Sequence, residues 1–144
     1  RVHVCENPDV VAIAADRLGA SCAPLICTEG MPAAAQRTLL DQLAAAGAEL
    51  HYHGDYDWAG ISIGNLVMRR WQATPWRFRV ADYLAAVAEA PASRTRDLAD
   101  NIVEAVWDPQ LSPAMREHGM AIAEEAMVDA LLKDLDRGHA SSSS

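Results

Sequence analysis

His53-Gly54-Asp55-Tyr56-Asp57-Trp58-Ala59-Gly60 decides how the rest of the chain is read. Two carboxylates are separated by a single residue, a glycine stands on each side, and helix-like sequence follows. The stretch reads as the end of a buried strand, Glu49 to His53, turning into a helix from about Trp58 to Trp71. Asp57 can cap that helix. Ile61, Val67, Met68 and Trp71 are among its expected buried positions. Asp55 and Asp57 then project from the turn, where a divalent cation can sit.

Upstream, the same strand-then-helix rhythm occurs twice. Val2 to Cys5 is a β-branched strand ended by Glu6, and Asn7-Pro8 supplies an N-cap and a first helical residue. A helix from about Asp9 to Leu18 is expected to bury Val10, Ile13, Ala14 and Leu18 and to stop at Gly19. Pro24 to Cys27 is a second strand, ended by Thr28-Glu29-Gly30. Pro32 opens a second helix that runs through Leu39, Leu40 and Leu43 to Ala46, with Gly47 as its stop. Downstream, Trp76-Arg77-Phe78-Arg79-Val80 alternates apolar and basic, the period of a strand with one wet face. It is expected as a fourth strand at or near a sheet edge. The order implies an α/β fold: a roughly four-stranded parallel sheet with helices on both faces and right-handed crossovers.

Past Ala81 the pattern turns helical. Helices are expected at Asp82 to Ala90, at Arg96 to Trp107, and from Asp108-Pro109 to near Gly119. Met120 to Asp136 is expected as one long amphipathic helix, with Ile122, Met127, Leu131, Leu132 and Leu135 as its core side. Gly138 closes it, and His139 to Ser144 is expected to be a disordered tail.

The 144 residues suit one domain, and a hydrophobic content of 51% argues against global disorder. No apolar run approaches about 18 residues, so no membrane span is expected. The opening Arg1-Val2-His3-Val4 is strand-like rather than signal-like, which suggests a domain excised from a longer protein. Cys5, Cys22 and Cys27 lack paired spacing and read as buried small side chains in a reducing, cytoplasmic setting. The net charge of −8, taken alone, weighs against nucleic acid. Its distribution matters more. Arg69, Arg70, Arg77 and Arg79 cluster, while several acids lie in the last third. These arginines either contact DNA phosphates or form a solvated edge.

In an open parallel sheet, functional groups collect at the carboxyl ends of the strands. Glu6, Glu29 and the Asp55/Asp57 pair occupy those ends. Any one of these acids can simply cap a helix. Four converging from three strand ends point to chemistry. Mg²⁺ takes hard oxygen ligands and keeps waters, leaving positions open for a phosphate. Two ions about 3.5–4 Å apart can activate a water and steady the leaving oxygen of a phosphodiester. Gly54 and Gly60 would let backbone and substrate approach closely.

A Glu ending the first strand and Asp-x-Asp ending the third resembles the toprim domain of topoisomerases, bacterial primases and several nucleases. The likeness is closer to the type IIB topoisomerase A subunit and its meiotic double-strand-break relatives. Gly30-Met31-Pro32 and Asp55-Tyr56-Asp57-Trp58-Ala59-Gly60-Ile61 stand where those proteins have a Gly-x-Pro turn and Asp-x-Asp followed by Gly-Ile. The chain most resembles the C-terminal toprim domain of the JetD family, nuclease subunits of the Wadjet plasmid-defence system. Cys5-Glu6-Asn7-Pro8, Cys27-Thr28-Glu29-Gly30-Met31-Pro32, His53-Gly54-Asp55-Tyr56-Asp57-Trp58 and Pro75-Trp76-Arg77 carry the resemblance, with Trp107-Asp108-Pro109 and Glu124-Glu125 further on. It implies a toprim, Rossmann-like fold over residues 1–138 with a C-terminal helical extension. It also implies Mg²⁺ or Mn²⁺ held by Glu6, Asp55 and Asp57, and cleavage of double-stranded plasmid DNA beside an SMC-type motor complex. The type IIB relatives suggest a homodimer. Their tyrosine nucleophile comes from a separate winged-helix domain, and Tyr52, Tyr56 and Tyr83 do not match its place. Water is therefore the expected nucleophile.

Plainer readings stand beside these. Glu29 is either a fourth site acid or merely near the metals. Glu124 and Glu125 read as first-turn acids facing a helix dipole. His51 and His53 read as a sheet-face histidine and a supporting hydrogen-bond donor. Trp58, Trp71, Trp76 and Trp107 read as packing residues, and Tyr56 has no assigned role. Two other functions compete with the nuclease. One is a degenerate toprim module that binds DNA or a partner without cutting. The other is a Mg²⁺ phosphatase with an aspartyl nucleophile.

Overall fold

The computed structural model describes residues 1–90 and 95–138; the tail expected at 139–144 lies outside the described residues. Successive strand–helix units build the sheet: β1 (Val2–Cys5), α1 (Pro8–Leu18), β2 (Leu25–Cys27), α2 (Ala34–Ala45), β3 (Leu50–Tyr52), α3 (Trp58–Trp71) and β4 (Thr74–Pro75). All pairings are parallel, in the order β2-β1-β3-β4. The chain moves from β1 to β2 on one side, then returns across β1 to β3 on the other. Such a reversal opens a crevice at the carboxyl ends of the two central strands. Glu6 follows β1 and Asp55 follows β3, so adjacency of these strands brings both acids to that crevice.

Helices cover both faces, and strand alternation divides the core. Val4 and Tyr52 point into the larger cluster with Leu40, Ile61, Val67 and Phe78. Cys5 points the other way, against Val10, Ala14, Leu131 and Leu135. The α1 start is as the sequence suggests: Asn7 Oδ1 accepts the Asp9 N–H at 2.9 Å, and Pro8 follows. The α3 start is likewise local, with Asp57 Oδ1 accepting the Gly60 N–H at 2.7 Å. Nine residues of α3 are buried, making it the most enclosed helix and the support for the acidic turn.

After the sheet come α4 (Val80–Glu89), β5 (Thr95–Asp97), α5 (Leu111–His118), β6 (Met120–Ile122), a 3-10 turn (Glu124–Met127) and α6 (Val128–Leu135). β5 and β6 pair antiparallel. Among the described residues, no helix is long and apolar enough to cross a membrane.

Three expectations fail here. The strand at Trp76 to Val80 is not formed. β4 ends at Pro75, and Arg77 has φ 46, outside any strand. The apolar/basic alternation instead reflects burial: Trp76 and Phe78 are inside, while Arg77 forks onto Asp134 at 2.5 and 3.0 Å. The helix at Arg96 to Trp107 is replaced by β5 and an irregular run. Ile102 and Val106 are more than 40% exposed, while Leu98, Val103, Ala105 and Trp107 pack against the core from an irregular backbone rather than from one helical face. The long helix at Met120 to Asp136 is broken into β6, the 3-10 turn and α6, because Met120–Ile122 pairs with β5.

Candidate metal centre

Glu6 and Asp55 meet directly. Glu6 Oε2 accepts the Asp55 N–H at 2.9 Å across the β1/β3 crevice. Asp55 Oδ1 in turn accepts the Glu124 N–H at 2.7 Å. Asp57 spends Oδ1 on the Gly60 N–H. Each of the three carboxylates therefore gives one oxygen to a backbone donor. Its other oxygen has no hydrogen bond among the described residues. Local backbone chemistry holds this turn closed: a Cβ at Gly60 would lie 2.0 Å from the Asp55 carbonyl oxygen. A Cβ at Gly54 would lie 2.8 Å from Tyr52 Oη. The glycines admit protein backbone and a ring, which bears out the close backbone approach expected of them.

The acids of the site are only partly compensated. Burial pushes the Glu6 carboxyl up to about 8, and Asp55, Glu124 and Asp57 push the same way, against the Asp55 N–H. Burial also raises Asp57, with Asp55 adding to it; the Gly60 N–H and Arg96 oppose the rise. Arg96, on β5, was not singled out from the sequence.

A pH dependence of stability follows. In the metal-free protein, Glu6 holds its proton more tightly folded than unfolded, from the ordinary 4.5 to about 8. The stability that Glu6 contributes is therefore greatest at low pH within this window and is lost as pH rises through it, flattening above about 8, while His3, lowered to about 4 by burial, contributes with the opposite sign. After allowance for solvent screening, the loss is expected to be about 2 kcal/mol. Urea unfolding in chelator at either end of the window measures it. Glu6→Gln is expected to remove this falling contribution, and an unchanged slope would refute the assignment.

Other acids are placed differently. Glu29 is exposed, and its Oε2 faces Gln36 Nε2 at 3.4 Å, so it is not drawn into the cluster. Glu124 opens the 3-10 turn, the first-turn place expected of it, but its side chain is spent elsewhere. It is fully buried and accepts the N–H groups of Glu6 and Asn7. Its available signal was an acid straight after the apolar run Met120 to Ala123, the same strand-end pattern as Glu6. His53 Nδ1 lies 2.9 Å from Glu124 Oε2, so this histidine supports the site through Glu124. His51 Nδ1 meets Thr74 Oγ1 at 3.0 Å on the sheet.

The tyrosines belong to the core. Tyr56 is fully buried, its hydroxyl reaching the Arg77 and Arg79 carbonyls. Tyr83 donates to the Met120 carbonyl at 2.7 Å, and Tyr52 Oη is buried without a partner. Trp58, Trp71 and Trp76 are buried, and Trp107 stacks on Phe78. Of the arginines, Arg70 pairs with Asp41, Arg77 with Asp134, and Arg79 reaches the Trp107 carbonyl.

A family model described as "Protein of unknown function C-terminus (DUF2399)" matches residues 1–135. The chain belongs to the DUF2399 family. No curated protein and no solved structure matches it. The DUF2399 match spans Glu6, Asp55, Asp57 and Glu124 together.

The donor set of this DUF2399 chain is one of hard carboxylate oxygens. Among the described residues, no three His, Cys, Asp or Glu side chains are grouped so as to hold a metal. A closed, all-protein cage is therefore not the match. Mg²⁺ usually takes one or two carboxylates, keeps waters and adds substrate phosphate oxygens. Neighbouring acids with one unbonded oxygen each suit that hydrated, hard cation.

Proposed function

We propose that this DUF2399 chain is the toprim domain of a JetD-like nuclease. It is a Mg²⁺- or Mn²⁺-dependent endonuclease that cuts plasmid DNA phosphodiester bonds beside an SMC-type motor complex. The observation that carries the reading is the direct contact of Glu6 with Asp55 at the β1/β3 crevice, with Asp57 close enough to add to its charge burden. Buried like charges are costly unless a cation joins them. The motif resemblance supplies the rest.

Glu6, Asp55 and Asp57 are the residues that would hold the ion. When bound, it would supply an activated water and stabilise the leaving oxygen. Gly60 N–H and Glu124 N–H fix the aspartates, and the Asp55 N–H fixes Glu6. All three tyrosines are committed to the interior, which favours water as the nucleophile. Cleavage without religation follows.

One observation favours a second reading, a toprim module that binds DNA or a partner without cutting: no three-donor group stands in place among the described residues. Chelation separates the two. The complete assembly is expected to cut closed circular plasmid in Mg²⁺ or Mn²⁺ and to leave it intact in excess chelator. Cutting that persists in chelator sinks the metal reading. DNA retention with no cutting under either condition establishes the binding module.

A further inference from the structure

Glu124 lies 118 residues from Glu6 in sequence, yet it is buried between the turns that follow β1 and β3. Its Oε1 receives the Asn7 N–H at 2.8 Å and the Glu6 N–H at 3.1 Å. Its Oε2 receives the Glu6 N–H at 3.3 Å and lies 2.9 Å from His53 Nδ1. An ionised carboxylate only accepts, so the imidazole donates through Nδ1. These contacts occupy both oxygens, which leaves this side chain nothing to offer an ion. In the other direction, the Glu124 N–H donates to Asp55 Oδ1.

One residue therefore ties both acid-bearing turns together. The backbone carries it there: Tyr56 and Ile122 exchange hydrogen bonds at 2.9 and 3.1 Å, which lays the end of β6 against the Asp55–Asp57 turn. Glu125 Oε1 adds a contact to Asn7 Nδ2 at 2.8 Å.

We propose that Glu124 is the positioning residue of the acid cluster. Its reach sets the spacing between the β1 and β3 turns, and with it the separation of the Glu6 and Asp55 carboxylates. The proposal rests on the metal reading above.

Reach and charge can be separated. Glu124→Asp keeps the charge and shortens the reach by a methylene. Glu124→Gln keeps the reach and loses the charge. His53 can then exchange tautomer and accept the new amide N–H. The experiment is a calorimetric titration of Mn²⁺ alone into the complete protein near neutral pH, with circular dichroism to establish folding. Glu124→Asp is expected to raise the Kd by about 10-fold or more, whereas Glu124→Gln stays within about 3-fold of wild type. The reverse order would mean a ligand or charge role and overturns the proposal. Lower thermal midpoints with unmoved Kd values would mean a purely structural role and also overturn it. The amide variant alone separates the roles, because a ligating carboxylate cannot become an amide without loss. A wild-type protein that takes up no Mn²⁺ removes the metal reading and this proposal together. Wild-type uptake with an unaltered Glu124→Asp removes only the positioning role.

Discussion

Asp55→Ala is expected to lower plasmid cutting by the complete assembly at least about 1,000-fold while the protein stays folded. The two halves of that result have separate causes. The fold survives because the contact with Glu6 uses the Asp55 backbone N–H, which alanine retains. What alanine loses is the carboxylate, together with its acceptance of the Glu124 N–H. Loss of one such cap costs about 1 kcal/mol, too little to unfold a domain of this size. Removal of the carboxylate takes away an ion-holding group, and that is where the large loss arises. Glu6→Ala should behave alike. Cutting at wild-type rates by both variants ends the nuclease assignment, whatever their stability.

Gly60→Ala is expected to have the largest effect on the fold, at least about 3 kcal/mol or roughly 10 °C in the thermal midpoint. The new methyl would sit 2.0 Å from the Asp55 carbonyl oxygen and 2.9 Å from its carbon. Neither is the tip of a flexible side chain, so no rotamer change relieves the contact. The helix cannot retreat easily, because Trp58, Ile61, Ile63, Val67 and Met68 fix α3 in the core. The acidic turn must move instead. A variant that unfolds in urea at the wild-type midpoint would show that the turn has more room than this packing allows.

The parts of the molecule readable from sequence were those decided within a few residues. Asn7 and Asp57 cap their helices with their own side chains, Pro8 opens the first of them, and α3 begins and ends where its periodicity says. The Glu6/Asp55 encounter needed one further step, the adjacency of β1 and β3, which the repeated strand–helix pattern leaves open and the sheet order supplies. The failures lie where distant pairing overrode local preference. Met120–Ile122 has helical periodicity, but its backbone is claimed by β5 and by Tyr56. Trp76 to Arg79 alternates like a strand, but Arg77 turns the chain so that its guanidinium meets Asp134. Glu124 was misread for the same reason. An acid opening a helix and an acid buried under two turns look identical until the partner N–H groups are known.

The hydrogen bonds from Asn7 and Glu6 to Glu124 span 117 and 118 positions, so the first and last fifths of the chain close on each other. A ribosome making this protein releases Glu6 and Asp55 long before their common anchor exists. Until residue 124 has left the exit tunnel, those turns have only the β1/β3 pairing and the Glu6–Asp55 contact to join them. A product cut short after α5 would keep every acid of the Glu6/Asp55/Asp57 set and still lack the brace between them.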